Sequence, residues 1–218
     1  VLAACAIGSA AAHAQATVDN PALPGAEDPR LARYEKQLRQ LDQALHADPG
    51  NLALRAERGQ VYEKMGLHQL ALADFDEIIR VDPERAAAYN HRGVTYGSLG
   101  QHARAIADFD EAIRRAPGDA SAYNHRGFAY GRLGEHARAV ADFDEAIRLD
   151  PQYVAAYSNR GVALSRLGRP EQAIRDFDEA IRLDPQNALA FYNRGYAHLR
   201  LRQHAAAIRD LGESLRLD

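Results

Sequence analysis

The residues best able to do chemistry in this chain are histidines and carboxylates, and both recur at a fixed step. The step that separates His91 from His125 also separates His68, His102 and His136, with His204 in the same register. Two imidazoles on neighbouring helices could share a metal ion. A zinc site, however, takes three or four convergent ligands, and no His-x3-His pair or Glu-rich set supplies the remainder. Asp-Phe-Asp-Glu runs begin at Asp74, Asp108, Asp142 and Asp176 and place carboxylates along a helix. Duplicated through the chain, they mark scaffold rather than one general acid and one base. No Gly-x-Ser-x-Gly, phosphate-binding glycine loop or dinucleotide fingerprint is present. These patterns point to no catalytic residue, no metal site and no cofactor.

Two further series repeat together: Arg58, Arg92, Arg126, Arg160, Arg194 and Asp74, Asp108, Asp142, Asp176, Asp210. The arginines could form a basic ladder for an acidic ligand. Their joint recurrence with the aspartates favours pairing within or between units, where a partly buried guanidinium fork can hold helices in register.

The elements that position these residues follow from the same period. Pro49, Pro83, Pro117, Pro151 and Pro185 are evenly spaced at that step, as are Phe75, Phe109, Phe143 and Phe177. Glycines keep it in two series, from Gly59 to Gly195 and from Gly66 to Gly168. Within one unit Tyr89, Gly93, Tyr96 and Leu99 share a helical face, and Ala105, Phe109, Ala112 and Ile113 share another. Gly100 separates them, where positive φ can close a helix, and Pro117 ends the second. Asn51, Asp119 and Asn187 sit where N-caps belong, whereas Arg85 and Tyr153 occupy that place as poor caps. Each unit is therefore predicted to be a helical hairpin.

Composition excludes several partners. A net charge of −3 lacks the basic excess that nucleic acid binding calls for. No apolar run is long enough to span a bilayer, and with Cys5 the single cysteine there is no disulfide framework. Residues 1–16 read as a signal-peptide remnant or an Ala-rich tail, with Ala12-His13-Ala14 and Ala14-Gln15-Ala16 both of cleavage-site form. That suggests a periplasmic or secreted bacterial protein. Alternatively, Leu2-Ala3-Ala4-Cys5 resembles a lipobox, and a lipid on Cys5 would anchor the chain to the envelope.

With Tyr, Gly, Tyr, Gly, Ala, Phe, Ala and Pro at these offsets, the unit resembles the tetratricopeptide repeat, and stretches such as SAYNHRGFAYGRLGEHARAVADFDEAI match it nearly end to end. The resemblance covers about three-quarters of the chain. It implies an all-α fold, a right-handed superhelical solenoid of helix–turn–helix repeats. Five units fall at 52–85, 86–119, 120–153, 154–187 and 188–218, after a linker at 17–29 and a capping helix or half-repeat at 30–48. The last unit departs from the pattern at Arg202 and Leu211.

The resemblance also implies that the first helices line a concave groove that binds protein or peptide. The family's contact places carry Asn90, His91, Asn124, His125, Phe128, Arg132, Asn159, Arg166, Asn193, Tyr196 and Arg200 here. Amides could pair with an extended backbone, and the cations with acidic groups. The family's clamp for chaperone C-terminal carboxylates uses lysines at the second and fifth places of the repeat and asparagine at the ninth. It is missing, since the second place holds Ala53, Ala87, Ser121, Ala155 and Leu189. The expected function is a scaffold for protein–protein interaction. The alternatives are an envelope subunit that self-associates through its C-terminal repeat and an accessory domain of a longer enzyme.

Overall fold

A computed structural model describes residues 29–218 of the protein. The leader or tail at 1–16, Cys5 and the linker up to residue 28 lie outside the described residues. Every described element is helical: α1 Pro29–Ala47, α2 Leu52–Lys64, α3 His68–Val81, α4 Ala86–Ser98, α5 His102–Arg115, α6 Ala120–Arg132, α7 His136–Leu149, α8 Val154–Arg166, α9 Pro170–Leu183, α10 Ala188–Arg200 and α11 His204–Leu217. Pro29–Lys36, the start of α1, belongs to one unit and Gln37–Asp218 form the other. The second unit is an all-α solenoid of helix–turn–helix repeats. None of the described helices is long and apolar enough to cross a membrane.

The helix boundaries have local chemical causes. Asn51 accepts hydrogen bonds from the amides of Ala53 and Leu54, Asp119 from Ser121 and Asn187 from Ala190, each satisfying amides that the first helical turn leaves open. Arg85 and Tyr153 make no side-chain cap bond. Between the helices of a hairpin, Gly66, Gly100, Gly134 and Gly168 take φ of +73° to +80°. The fifth hairpin turns through Arg202 at φ 59°, in a region that side-chain-bearing residues enter at a cost of about 1–2 kcal/mol.

Packing inside a hairpin depends on one close approach. A Cβ added to Gly127 would lie 2.8 Å from the Phe143 ring and 3.1 Å from the Ala139 carbonyl, and at Gly161 it would meet the Phe177 ring at 2.6 Å. The absent side chain makes room for a phenylalanine that is almost fully buried. In the fifth unit Leu211 faces Gly195 in the same way.

Arginine one residue before this glycine ties the hairpin to the previous one. Arg126 donates from Nε and one terminal nitrogen to both oxygens of Asp142, at 2.9 and 2.7 Å, and from the other to Asp110 at 2.6 Å. Arg92, Arg160 and Arg194 repeat the pattern, each on its own hairpin's aspartate and on Asp76, Asp144 or Asp178 of the hairpin before. Arg58 holds Asp74 likewise and reaches back to Asp42 at 2.8 Å. Asp42 stands one full period before Asp76, at the place whose aspartate receives the following arginine in each later junction.

The near aspartates are buried and the far ones exposed, so removing one arginine strands a buried carboxylate. Arg126→Ala should destabilise the chain by about 3 kcal/mol or more. By contrast Arg148→Ala, which breaks an exposed pair with Glu145, should cost under about 1 kcal/mol. Equilibrium urea unfolding of both variants measures the difference.

Candidate functional site

The first helices of successive units touch one another: α2 meets α4, α4 meets α6, α6 meets α8 and α8 meets α10. Among the described residues no two second helices meet in this way. A stack closer along one side bends towards that side, so the first helices form its inner face.

Hydrogen bonds stitch those first helices together. Gln60 and the His91 ring approach to 3.1 Å, His125 Nδ1 lies 3.0 Å from Asn90 Oδ1, and Asn159 donates to Asn124 Oδ1 at 3.0 Å. Asn90 also donates to the Ser121 hydroxyl at 3.0 Å, and Asn124 to the Tyr153 hydroxyl at 3.4 Å. Asn90 and Asn124 are 8% and 5% exposed. Of the expected contact set, the Asn90 and Asn124 amides are thus engaged from helix to helix, and Asn124 also lines one of the recesses beside Phe128. The signal that could have revealed it is the placement of Ser121 in the first turn of the next first helix and of Tyr153 at the N-cap of the one after.

His91 and His125 belong to the same internal network. The His91 ring stacks on Phe75 at 5.5 Å between centroids, and His125 tilts against Phe109 at 5.7 Å. Since Asn90 Oδ1 can only accept, His125 carries its proton on Nδ1. Burial holds both imidazoles below their ordinary pKa, with Asp119 pulling each upward and His91 further depressing His125. No group of three or more His, Cys, Asp or Glu side chains that could hold a metal occurs among the described residues.

Other expected residues do face outward. Phe128 and Tyr196 are each 53% exposed and Val162 is 39% exposed. They follow one another at the same place of α6, α8 and α10. One helical turn beyond each stands Arg132, Arg166 or Arg200, all exposed. None of the three has an ion pair or hydrogen bond to another described residue, in contrast with the forked arginines on the same helices. Asn193 is half-buried on α10. Tyr192 and Leu199, also exposed, widen the apolar stripe at the last unit, and Leu199 was not expected from the sequence.

Two recesses flank Phe128. One of about 330 Å³ includes Val94, His102, His125 and Asn159 in its lining. The other, about 250 Å³, is bounded by Arg132, His136, Asn159, Val162 and Arg166. Phe128 lines both, so a chain crossing it along the inner face would have an apolar pocket on either side and a cation at one rim.

The helical-repeat fold agrees with the comparisons. Tetratricopeptide repeat models match residues 56–120, 90–154, 154–187 and 177–209, and the chain belongs to the tetratricopeptide repeat family. Among curated protein sequences none matches it. Of the solved structures, MamA residues 41-end from Desulfovibrio magneticus RS-1 is similar at 20% identity and TM-score 0.69, over 76% of this chain and 94% of that one. A tetratricopeptide repeat protein from Parabacteroides merdae matches at 20% identity and TM-score 0.71, over 87% and 75%. YrrB, described as having an unusual peptide-binding site, matches at 20% identity and TM-score 0.64, over 82% and 92%. At these identities the likeness is one of fold.

The depressed histidines set a pH dependence. A group whose folded pKa lies below its unfolded value supports the fold fully above the unfolded value, near 6.5. That support is lost as pH falls from there towards the folded pKa. Replacing both by the asparagine found at this place in α8 and α10, His91→Asn with His125→Asn, should flatten the fall in melting temperature between about pH 6.5 and 5. Thermal melts followed by circular dichroism across that range measure the slope; an unchanged slope contradicts the assignment.

Proposed function

We propose that the protein is an interaction scaffold that takes an extended, acid-bearing segment of a partner polypeptide along its inner face. The observation that carries this reading is the stripe of exposed Phe128, Val162 and Tyr196 beside Arg132, Arg166 and Arg200, cations that no carboxylate among the described residues neutralises. Apolar side chains of the segment would fill the recesses beside Phe128, and its carboxylates would meet the arginines one helical turn away. The peptide-binding site named for YrrB is in keeping with such a role. Arg132→Ala, Arg166→Ala and Arg200→Ala combined should weaken binding of a fluorescein-labelled peptide of alternating Glu and Leu by about tenfold or more, roughly 1.4 kcal/mol. Added salt should weaken the wild-type complex in the same direction. Fluorescence anisotropy reads both effects, and equal affinity of the two proteins rejects the reading.

A second reading, self-association through the last repeat, is favoured by Ile208 and Leu215, which are 71% and 79% exposed at places where Ile174 and Ile181 are half-buried. A strictly monomeric protein in light scattering excludes it.

We further propose export from the cytoplasm, on the strength of the A-x-A sequences before Gln15 and Thr17. Mass spectrometry of the mature protein should find a chain starting at Gln15 or Thr17. A lipid-modified Cys5 would instead establish the anchored form.

A further inference from the structure

A place that repeats two and three fill from within is left open in repeat four. In repeat three, Tyr130 is 5% exposed. The guanidinium of Arg138 lies 3.9 Å from its ring centroid and donates to its hydroxyl at 2.5 Å. Glu135 fixes that arginine at 2.6 Å. Repeat two has the same arrangement in Tyr96, Arg104 and Gln101, with the guanidinium 5.0 Å from the ring centroid and Gln101 accepting at 2.9 Å.

Repeat four substitutes all three partners at once: Leu164 for the tyrosine, Gln172 for the covering arginine and Arg169 for its acceptor. A recess of about 300 Å³ results, with Val140 and Leu164 on its apolar side and Arg169, Gln172 and Arg175 among its polar lining. Its two carboxylates, Asp144 and Asp176, are both committed to Arg160. Arg169 and Arg175 have no ion pair within 4.0 Å of any described residue, Glu171 included, although Arg175 acts on the Asp176 carboxylate from further off. Arg175 stands where repeats two and three have Ala107 and Ala141, so this repeat gains a cation there as well.

We infer that this recess is a second binding site, for an aromatic side chain flanked by carboxylates on a partner polypeptide. The neighbouring repeats show what the space accepts, a phenol ring against an aliphatic floor with a guanidinium over or beside it. Such a ring gains from the cation as well as from burial. The reversal of Glu135 to Arg169 turns the rim from acidic to basic, so an entering ring is favoured when acidic residues adjoin it. The recess is formed by α7, α8 and α9 and shares no residue with those beside Phe128, so it stands independently of the inner-face reading.

The probe is the tripeptide acetyl-Glu-Tyr-Glu-amide, titrated into the full chain while methyl resonances of Val140 and Leu164 are followed by NMR. Saturable shifts of both are expected, with acetyl-Glu-Ala-Glu-amide weaker by about tenfold or more. Leu164→Tyr with Gln172→Arg and Arg169→Glu recreates the set of repeat three and closes the space. It should reduce binding of the tyrosine probe by about tenfold or more while circular dichroism stays unchanged. Should that variant fold poorly, the surface pair Arg169→Ala and Arg175→Ala tests the same site. Arg132→Ala with Arg166→Ala should leave the probe's affinity as it was, which separates failure here from failure of the inner-face proposal. Shifts confined to Val94 and Val162, equal affinity for the alanine tripeptide, or undiminished binding to the filled variant would each overturn the inference.

Discussion

The structure depends on one three-pronged contact, the arginine that grips the aspartate of its own hairpin with two nitrogens and the aspartate of the preceding hairpin with the third. The arginine's two carboxylate partners lie 16 residues after and 16 residues before it in sequence. A single Asp-Phe-Asp run therefore serves two arginines, its first acid closing one hairpin and its last receiving the next. The phenylalanine between them enters the space left by the glycine that follows the first arginine. Arg-Gly on the first helix and Asp-Phe-Asp on the second thus form one lock, in which the ion pair sets direction and the ring sets distance. The desolvation of a half-buried guanidinium is offset because the near acid is bidentate and the far acid remains wet.

That lock determines where variable residues can point. Repeated along the stack, it holds the first helices close enough for their side chains to bond across units, so the inner face divides between bonded residues and residues that pair with nothing else described. The same period therefore yields two kinds of inner-face position. Asn90, His125 and Asn124 each bond to a neighbouring first helix. Phe128, Val162, Arg132 and Arg166 lie further along the same helices and pair with nothing among the described residues.

Much of this was legible in the sequence because the period multiplies every signal. Helix pairs, their glycine turns and the Asn51, Asp119 and Asn187 caps follow from residue type and place alone, and so does the pairing of the arginine and aspartate series. The fate of the amides was not legible. An asparagine has the same donors and acceptor whether it meets a peptide or its own chain. Only the contact of α4 with α6 and of α6 with α8 decides that Ser121 and Tyr153 reach Asn90 and Asn124 first. The recess in repeat four was written in the sequence as Leu164, Arg169 and Gln172. It becomes readable only once Arg138 is seen lying on Tyr130, because the pattern of types does not say which three residues touch.

Near-identical units make their exceptions informative, and the fifth unit shows this from the other direction. Gly212 stands where the earlier second helices hold Asp42, Asp76, Asp110, Asp144 and Asp178 in turn, the acids that receive the following arginine. Leu211 replaces the ring, and Ile208 and Leu215 are bare. An arginine brought to this face by another repeat of the same kind would find no carboxylate in the far position and would lose one of its three bonds. A contact at Ile208 and Leu215 would be apolar and would lack the far-acid bond present at each internal junction. The outer face of the fifth unit is consequently different in kind from each internal junction, even though its backbone continues the same geometry.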